Sequence, residues 1–214
     1  PNRLDTTFTT LELADPDSGL AWTMPFFQLL SLSYRPNHVI AVWPAEQRIS
    51  TPDHKYDLRS ERMRASLVFD KGAQLTLNRS NLELLEAELR LDATPIAQIT
   101  ALNLAILRHP STEAIYRVAA QAEGLSLSAL MGTHNTSTRP QTFDTVEADL
   151  LIGFDKPWDD QALSDTRPQP TSIDIRHAEL LWGELRLKAA GTLTIEGNGT
   201  PTGDLTLRVE NWRD

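Results

Sequence analysis

Between residues 184 and 196 apolar side chains recur at every second position: Leu185, Leu187, Ala189, Gly191, Leu193 and Ile195. Arg186, Lys188, Ala190, Thr192 and Thr194 lie between them. A period of two is that of a strand with one face buried, and about 13 residues at ~3.3 Å each predict an element roughly 43 Å long. Gly191 falls where such a strand would bend or bulge. Residues 196–203 have turn chemistry, and Leu205, Leu207 and Val209 then resume the alternation. The two segments predict a hairpin.

The pattern recurs upstream. Residues 8–13 run into a turn at 15–19, a long strand follows over 21–33, and Arg35-Pro36-Asn37 predicts a turn before a strand over 38–43. Residues 56–69 form another long strand, ending at Asp70-Lys71-Gly72. Leu75 and Leu77 are expected to pair with 82–91 across the polar stretch 78–81, and strands over 145–154 and 173–182 complete the set. Residues 94–107 admit two readings. Pro95 with Ile96, Ile99, Leu102 and Ile106 fits a capped helix. The run into His109-Pro110, with β patterning again over 114–127, favours a long hairpin. Loops 132–140 and 155–170 lack periodicity, and Pro157-Trp158-Asp159-Asp160 predicts one short helical turn. The expectation is an all-β, mainly antiparallel meander over residues 1–214. It forms one domain with a strongly curved sheet or open half-barrel groove and at most one or two short helices.

Two regions depart from one-sided alternation. Over 21–32 the even positions carry Trp22, Met24, Phe26, Leu30 and Leu32, while Phe27 and Leu29 are odd. Over 38–43 Ile40 and Val42 face one way, and Val39, Ala41 and Trp43 the other. Strands apolar on both faces are covered on both sides. Cover by the chain itself is the preferred reading; the alternative is an apolar ligand or a partner. Trp22, Phe26, Phe27, Ile40 and Trp43 are therefore the groove candidates for ligand binding.

The net charge of −9 repels phosphate backbones, and no basic stripe with interleaved aromatics offsets it, so nucleic acid is excluded as a partner. With no cysteine the chain offers no thiolate zinc site, iron–sulfur cluster or cysteine nucleophile. No segment nears the ~20 apolar residues of a spanning helix. Irregular strand lengths and Pro-rich loops speak against a membrane barrel. The first residue is Pro1 and the sequence stops after Trp212-Arg213-Asp214, so a fragment of a longer protein is expected.

Individual motifs weigh little. Asp15-Pro16-Asp17-Ser18-Gly19 resembles a calcium loop but lacks the downstream bidentate Glu, and reads as a β-turn. His54, beside Asp53 and Lys55, reads as a loop histidine. His38, His109, His134 and His177 show no ligand spacing, so neither metal nor cofactor is expected. Asp155, Asp159, Asp160 and Asp165 share a loop and admit a glycosidase pair, but a solvated acidic loop is preferred. Asn78, Asn135 and Asn198 sit in sequons of a kind chance often supplies. There is no nucleophile elbow or phosphate loop. A non-enzymatic domain is expected.

Residues 33–44, Ser-Tyr-Arg-Pro-Asn-His-Val-Ile-Ala-Val-Trp-Pro, are followed by Thr51-Pro52. With Leu181-Trp182-Gly183, the stretch 190–193 and the closing 203–212, they resemble the alphaproteobacterial family known as domain of unknown function 2125. Pro1-Asn2-Arg3 resembles the start of that family's region. The resemblance implies a periplasmic body, tethered to the inner membrane by an N-terminal anchor absent from this chain. It supplies no catalytic residues. The repeated G-x-L strands are loosely similar to AsmA-type envelope proteins, which are implicated in lipid transport. Lipid or envelope proteins are the partners this implies, with lipid binding in a β groove as the leading expectation and a structural or protein-interaction module as the alternative.

Overall fold

The computed structural model describes residues 3–15, 18–72, 74–127, 142–163 and 167–212. Its strands are β1 (Arg3–Asp15), β2 (Leu20–Leu32), β3 (Arg35–Val42), β4 (Glu46–Ser50), β5 (Lys55–Arg59), β6 (Arg62–Phe69) and β7 (Leu77–Leu91). They continue as β8 (Thr94–Arg108), β9 (Ile115–Ser126), β10 (Thr142–Phe154), β11 (Pro170–Trp182), β12 (Leu185–Ile195) and β13 (Pro201–Glu210). One short 3-10 turn covers Asp160–Leu163.

All thirteen strands belong to one antiparallel sheet. β3 and β4 both pair with β2, end to end, and β5 and β6 both pair with β7. Each of those couples is one long strand interrupted at residues 43–45 and 60–61. The sheet is therefore a meander in strict chain order, from β1 to β13. β1 pairs only with β2 and β13 only with β12, so the curved sheet does not close into a barrel.

The strand reading of 94–107 holds, as do the meander and the hairpin of β12 with β13. Three details differ. Residues 77–91 are one strand, and the turn that follows is Asp92-Ala93, with φ of 47° and 70°. The turn expected at Arg35-Pro36-Asn37 lies at Ser33-Tyr34, so Arg35-Pro36-Asn37 opens β3. β4 had no counterpart in the sequence reading. The 132–140 loop lies outside the described residues.

Each face has its own composition. One line of directly opposed residues runs Leu29, Ala41, Ala65, Leu82, Leu104, Ala120, Ala148, Ala178, Ala189 and Leu207. One residue away, on the other face, runs Arg64, Glu83, Asn103, Gln121, Glu147, Glu179, Lys188 and Arg208. Cross-strand ion pairs such as Arg48–Asp57 (3.0 Å), Arg59–Glu46 (3.5 Å) and Arg186–Glu179 (3.3 Å) tie the polar face. Exposed pairs of this kind contribute under ~1 kcal/mol each.

The alternation slips midway along the strands. Thr10, Glu86 and Gly124 have φ of 54°, 45° and 63°, and the pairs Thr10/Pro25 and Glu86/Thr100 are skipped while the register on either side of each is kept. Gly124 lies opposite Thr100 on one side and Asp144 on the other. With the interruptions at 43–45 and 60–61, these positions form a crease across the sheet from β1 to β10. Bulge-like irregularities of this kind bend strands and strengthen their twist, which is what curves the sheet.

Candidate functional site

The apolar face carries no second layer over most of its extent. Among the residues whose side chains are described no Leu, Ile, Val, Phe or Trp is buried; the buried apolar ones are Met24, Tyr116, Pro44, Pro168 and the alanines 41, 65, 87, 122 and 162. Each strand approaches only its neighbours in the sheet. The chain exposes 13859 Å², against about 9,900 Å² expected for a compact monomer of this mass. Exposure rises toward the margins, to 59% at Leu4, 43% at Phe8, 48% at Leu205 and 58% at Leu207. Contrary to expectation, the chain covers the face locally but not over its doubly apolar strands 21–32 and 38–43, which approach only their neighbours in the sheet.

That local cover is a wall at one margin. The segment leaving β10 crosses back over the face: Leu77 N–H donates to the Trp158 carbonyl (2.7 Å) and Asp160 N–H to the Gln74 carbonyl (3.0 Å). Beneath it Tyr116 is 1% exposed, its ring edge-on to Phe154 at 5.9 Å, and Phe154 is edge-on to Trp158 at 5.7 Å. Tyr116 Oη accepts from Trp158 N–H at 3.1 Å. Burial pushes the Tyr116 phenol above its ordinary pKa.

The crease divides the five groove candidates. Trp22 stacks on Trp43 at 6.4 Å, Phe27 tilts against the same Trp43 at 5.2 Å, and Phe8 stacks on Phe27 at 6.4 Å. These rings share the apolar face. Trp22 Nε1–H donates to Oε1 of buried Gln47 at 3.1 Å, and Gln47 Nε2 donates to the Pro44 carbonyl at 3.3 Å, so the Trp22 indole N–H and the buried amide are satisfied. Phe26 and Ile40 lie on the other side. Ile40, 37% exposed, lines a trough of about 680 Å³ with Ser66, Asn81 and Asp149. Assignment of faces by even and odd positions over 21–32 was therefore wrong on either side of Pro25. Trp22 and Met24 share their face with Phe27 and Leu29, and the other face keeps Phe26, Leu30 and Leu32.

The remaining chemistry is structural. Asp155 accepts from Gln169 N–H (2.7 Å) and Asp159 from Gln161 N–H (3.0 Å), so both hold loop backbone; Asp165 lies outside the described residues. Ser18 Oγ donates to Asp15 (2.8 Å) and Gly19 N–H to the Asp15 carbonyl (2.9 Å), the hydrogen bonds of a turn. His54 is exposed and closes a turn with Thr51, and His38 meets Ser66 Oγ at 2.8 Å. Among the described residues no three His, Asp or Glu side chains converge as a metal would require. On the polar face Arg117 holds Asp149 through two hydrogen bonds of 2.8 Å, and these keep the Asp149 carboxyl below its usual pKa.

The wall residues Tyr116, Phe154 and Trp158 escaped the sequence reading. Their spacing gives no sign of meeting; only the aromatic at each strand end hinted at it. No curated protein and no solved structure matches the chain. A family model does match it, over residues 1–214, and the chain belongs to the bacterial family described as "Uncharacterized protein conserved in bacteria (DUF2125)".

Proposed function

We propose that this is a non-enzymatic domain of the bacterial envelope whose curved sheet holds lipid chains, or another apolar ligand, against its uncovered face. The observation that carries the reading is that face: among the described residues it crosses the sheet from β2 to β13 without a buried large aliphatic, and the Trp158 segment covers it at one margin only. Patches beyond a few hundred Å² are rare on monomers and generally mark binding surfaces. Each methylene removed from water contributes about 0.8 kcal/mol, so half-burying a chain of about 16 carbons gives ~6 kcal/mol before ordering costs. A periplasmic location and a membrane tether are part of the proposal and rest on the motif resemblance at 33–44 and 203–212.

Native mass spectrometry and lipid extraction of the protein purified from its own host's membranes test this. Bound lipid is expected, with Trp22 and Trp43 fluorescence quenched by brominated acyl chains. A ligand-free monomer whose fluorescence is unmoved by those lipids would falsify it.

A second reading is a protein-interaction module. It is favoured by the exposure of Leu205, Leu207 and Val209 along β13, whose outer edge is unpaired among the described residues. Cross-linking in cells should then recover one defined protein; recovery of lipid alone counts against it.

A further inference from the structure

Most arginines of the sheet reach a carboxylate: those at 48, 59, 62, 64, 90, 108, 117, 186 and 208 all do. Arg35, Lys71 and Arg79 form no ion pair among the described residues, and all three are exposed. They line one concavity of about 800 Å³, which also takes in His38, Tyr34 and Leu75. Each cation comes from a different element: Arg35 opens β3, Lys71 sits in the loop after β6, and Arg79 is on β7.

The one carboxylate on this lining, Asp70, is already engaged. Arg108 Nη2 lies 2.5 Å from one of its oxygens and Asn78 Nδ2 donates to the other at 2.9 Å. Asp70 N–H also closes the loop by donating to the Thr76 carbonyl at 2.8 Å, and Asn37 Nδ2 ties the facing strand to the Phe69 carbonyl at 2.8 Å. The walls are therefore braced while the cations stay free. Three unpaired cations around one hollow make a local positive potential within a chain of net charge −9, and that potential draws an anion to this site.

We infer that Arg35, Lys71 and Arg79 form a binding pocket for a phosphate group, that of a glycerophospholipid headgroup. Two guanidinium forks and an ammonium suit the several oxygens of a phosphate. Tyr34 and Leu75, 65% and 46% exposed on the same lining, offer an apolar rim that a free anion does not need. This goes beyond the apolar-face reading and stands on other residues. Arg79 and His38 oppose Val68 in the phase of Ser66 and Asn81, so the pocket opens on the polar side and joins the wall only through the loop that runs into Leu77.

The test measures binding of the purified protein to phosphatidylcholine vesicles with and without phosphatidylglycerol, and separately to inorganic phosphate. Selective binding to the anionic vesicles is expected, falling as salt rises. Arg35→Gln, Lys71→Gln and Arg79→Gln should each weaken it roughly tenfold. Lys55→Gln, which removes an exposed cation elsewhere, should leave it unchanged. Arg35→Gln, at the exposed first residue of β3, serves should the other variants fold poorly. Vesicle binding that these variants do not alter, or no binding to either probe, overturns the pocket. Phosphate binding without vesicle binding overturns the headgroup assignment. Quenching by brominated chains reports the apolar face independently, so either idea can fail alone.

Discussion

Trp22 and Phe27 lie on the same face of one strand although five positions separate them, and both rings meet Trp43. In unbroken β geometry an odd separation puts side chains on opposite faces. The slip at Pro25 is therefore a change of phase, repeated at Glu86 and Gly124 on distant strands. Aligned slips let the strands from β1 to β10 bend at the same line while their apolar residues stay on one side.

Gly124 should be the least replaceable member of that line. At φ 63° a side chain is disfavoured, and a Cβ would sit 2.4 Å from Thr100 Oγ1. Gly124→Ala is expected to cost about 2–3 kcal/mol in urea unfolding, from backbone strain plus the clash. Adding Thr100→Ala should recover the clash alone, leaving ~1 kcal/mol.

β12 and β13 approach through two glycines. A Cβ at Gly191 would lie 2.1 Å from the Asp204 carbonyl oxygen, and one at Gly203 would lie 2.1 Å from that of Thr192. Backbone cannot give way as a side chain can. Gly203→Ala should loosen β13 by about 1–3 kcal/mol, seen as hydrogen exchange at least roughly tenfold faster in β13 with β7–β9 unchanged.

Removing the wall should be legible in one phenol. Trp158→Ala opens the cover over Tyr116, so the Tyr116 pKa should fall toward about 10 in an ultraviolet phenolate titration. The stabilisation from keeping that phenol neutral is present below the unfolded value and lost as pH rises through the folded one. The variant should lose about 2–3 kcal/mol at neutral pH and show a smaller alkaline decline than the wild type.

Asp149 provides the acid counterpart. Its carboxyl is depressed first by the hydrogen bond from Arg117, so its contribution is present above the unfolded pKa and lost as pH falls through the folded one. Urea midpoints taken downward from about pH 5 should show part of the wild-type acid decline absent from Asp149→Asn. An identical decline in both proteins would refute the coupling.

Most of the fold was legible, because alternation in 184–196 or 173–182 depends only on which residues are apolar. What escaped was phase. Nothing local marks Glu86 or Thr10 as positions of positive φ, since neither is glycine. The turn after β7 was hidden for a related reason: Asp92-Ala93 lacks the Asn-Gly chemistry of such turns, while Asn78-Arg79-Ser80-Asn81 mimics it inside a strand. Of the groove candidates, Trp22, Phe27 and Trp43 came together because aromatic bulk was a sound guide. Phe26 and Ile40 did not, because counting even and odd failed across the slip. Arg35, Lys71 and Arg79 were invisible beneath a strongly negative total; Arg167 and Arg176 also form no ion pair among the described residues, and only the fold brings these three to one concavity.

Strict chain order has a consequence for how the molecule assembles. Every strand row meets only the rows before and after it in sequence. Closure therefore involves short loops rather than distant partners, a topology of low contact order that favours rapid folding. Stability in such a chain accumulates hairpin by hairpin, as in solenoid repeats, instead of resting on one central nucleus. A polypeptide delivered end first can fold as it emerges, each new strand adding to a finished edge.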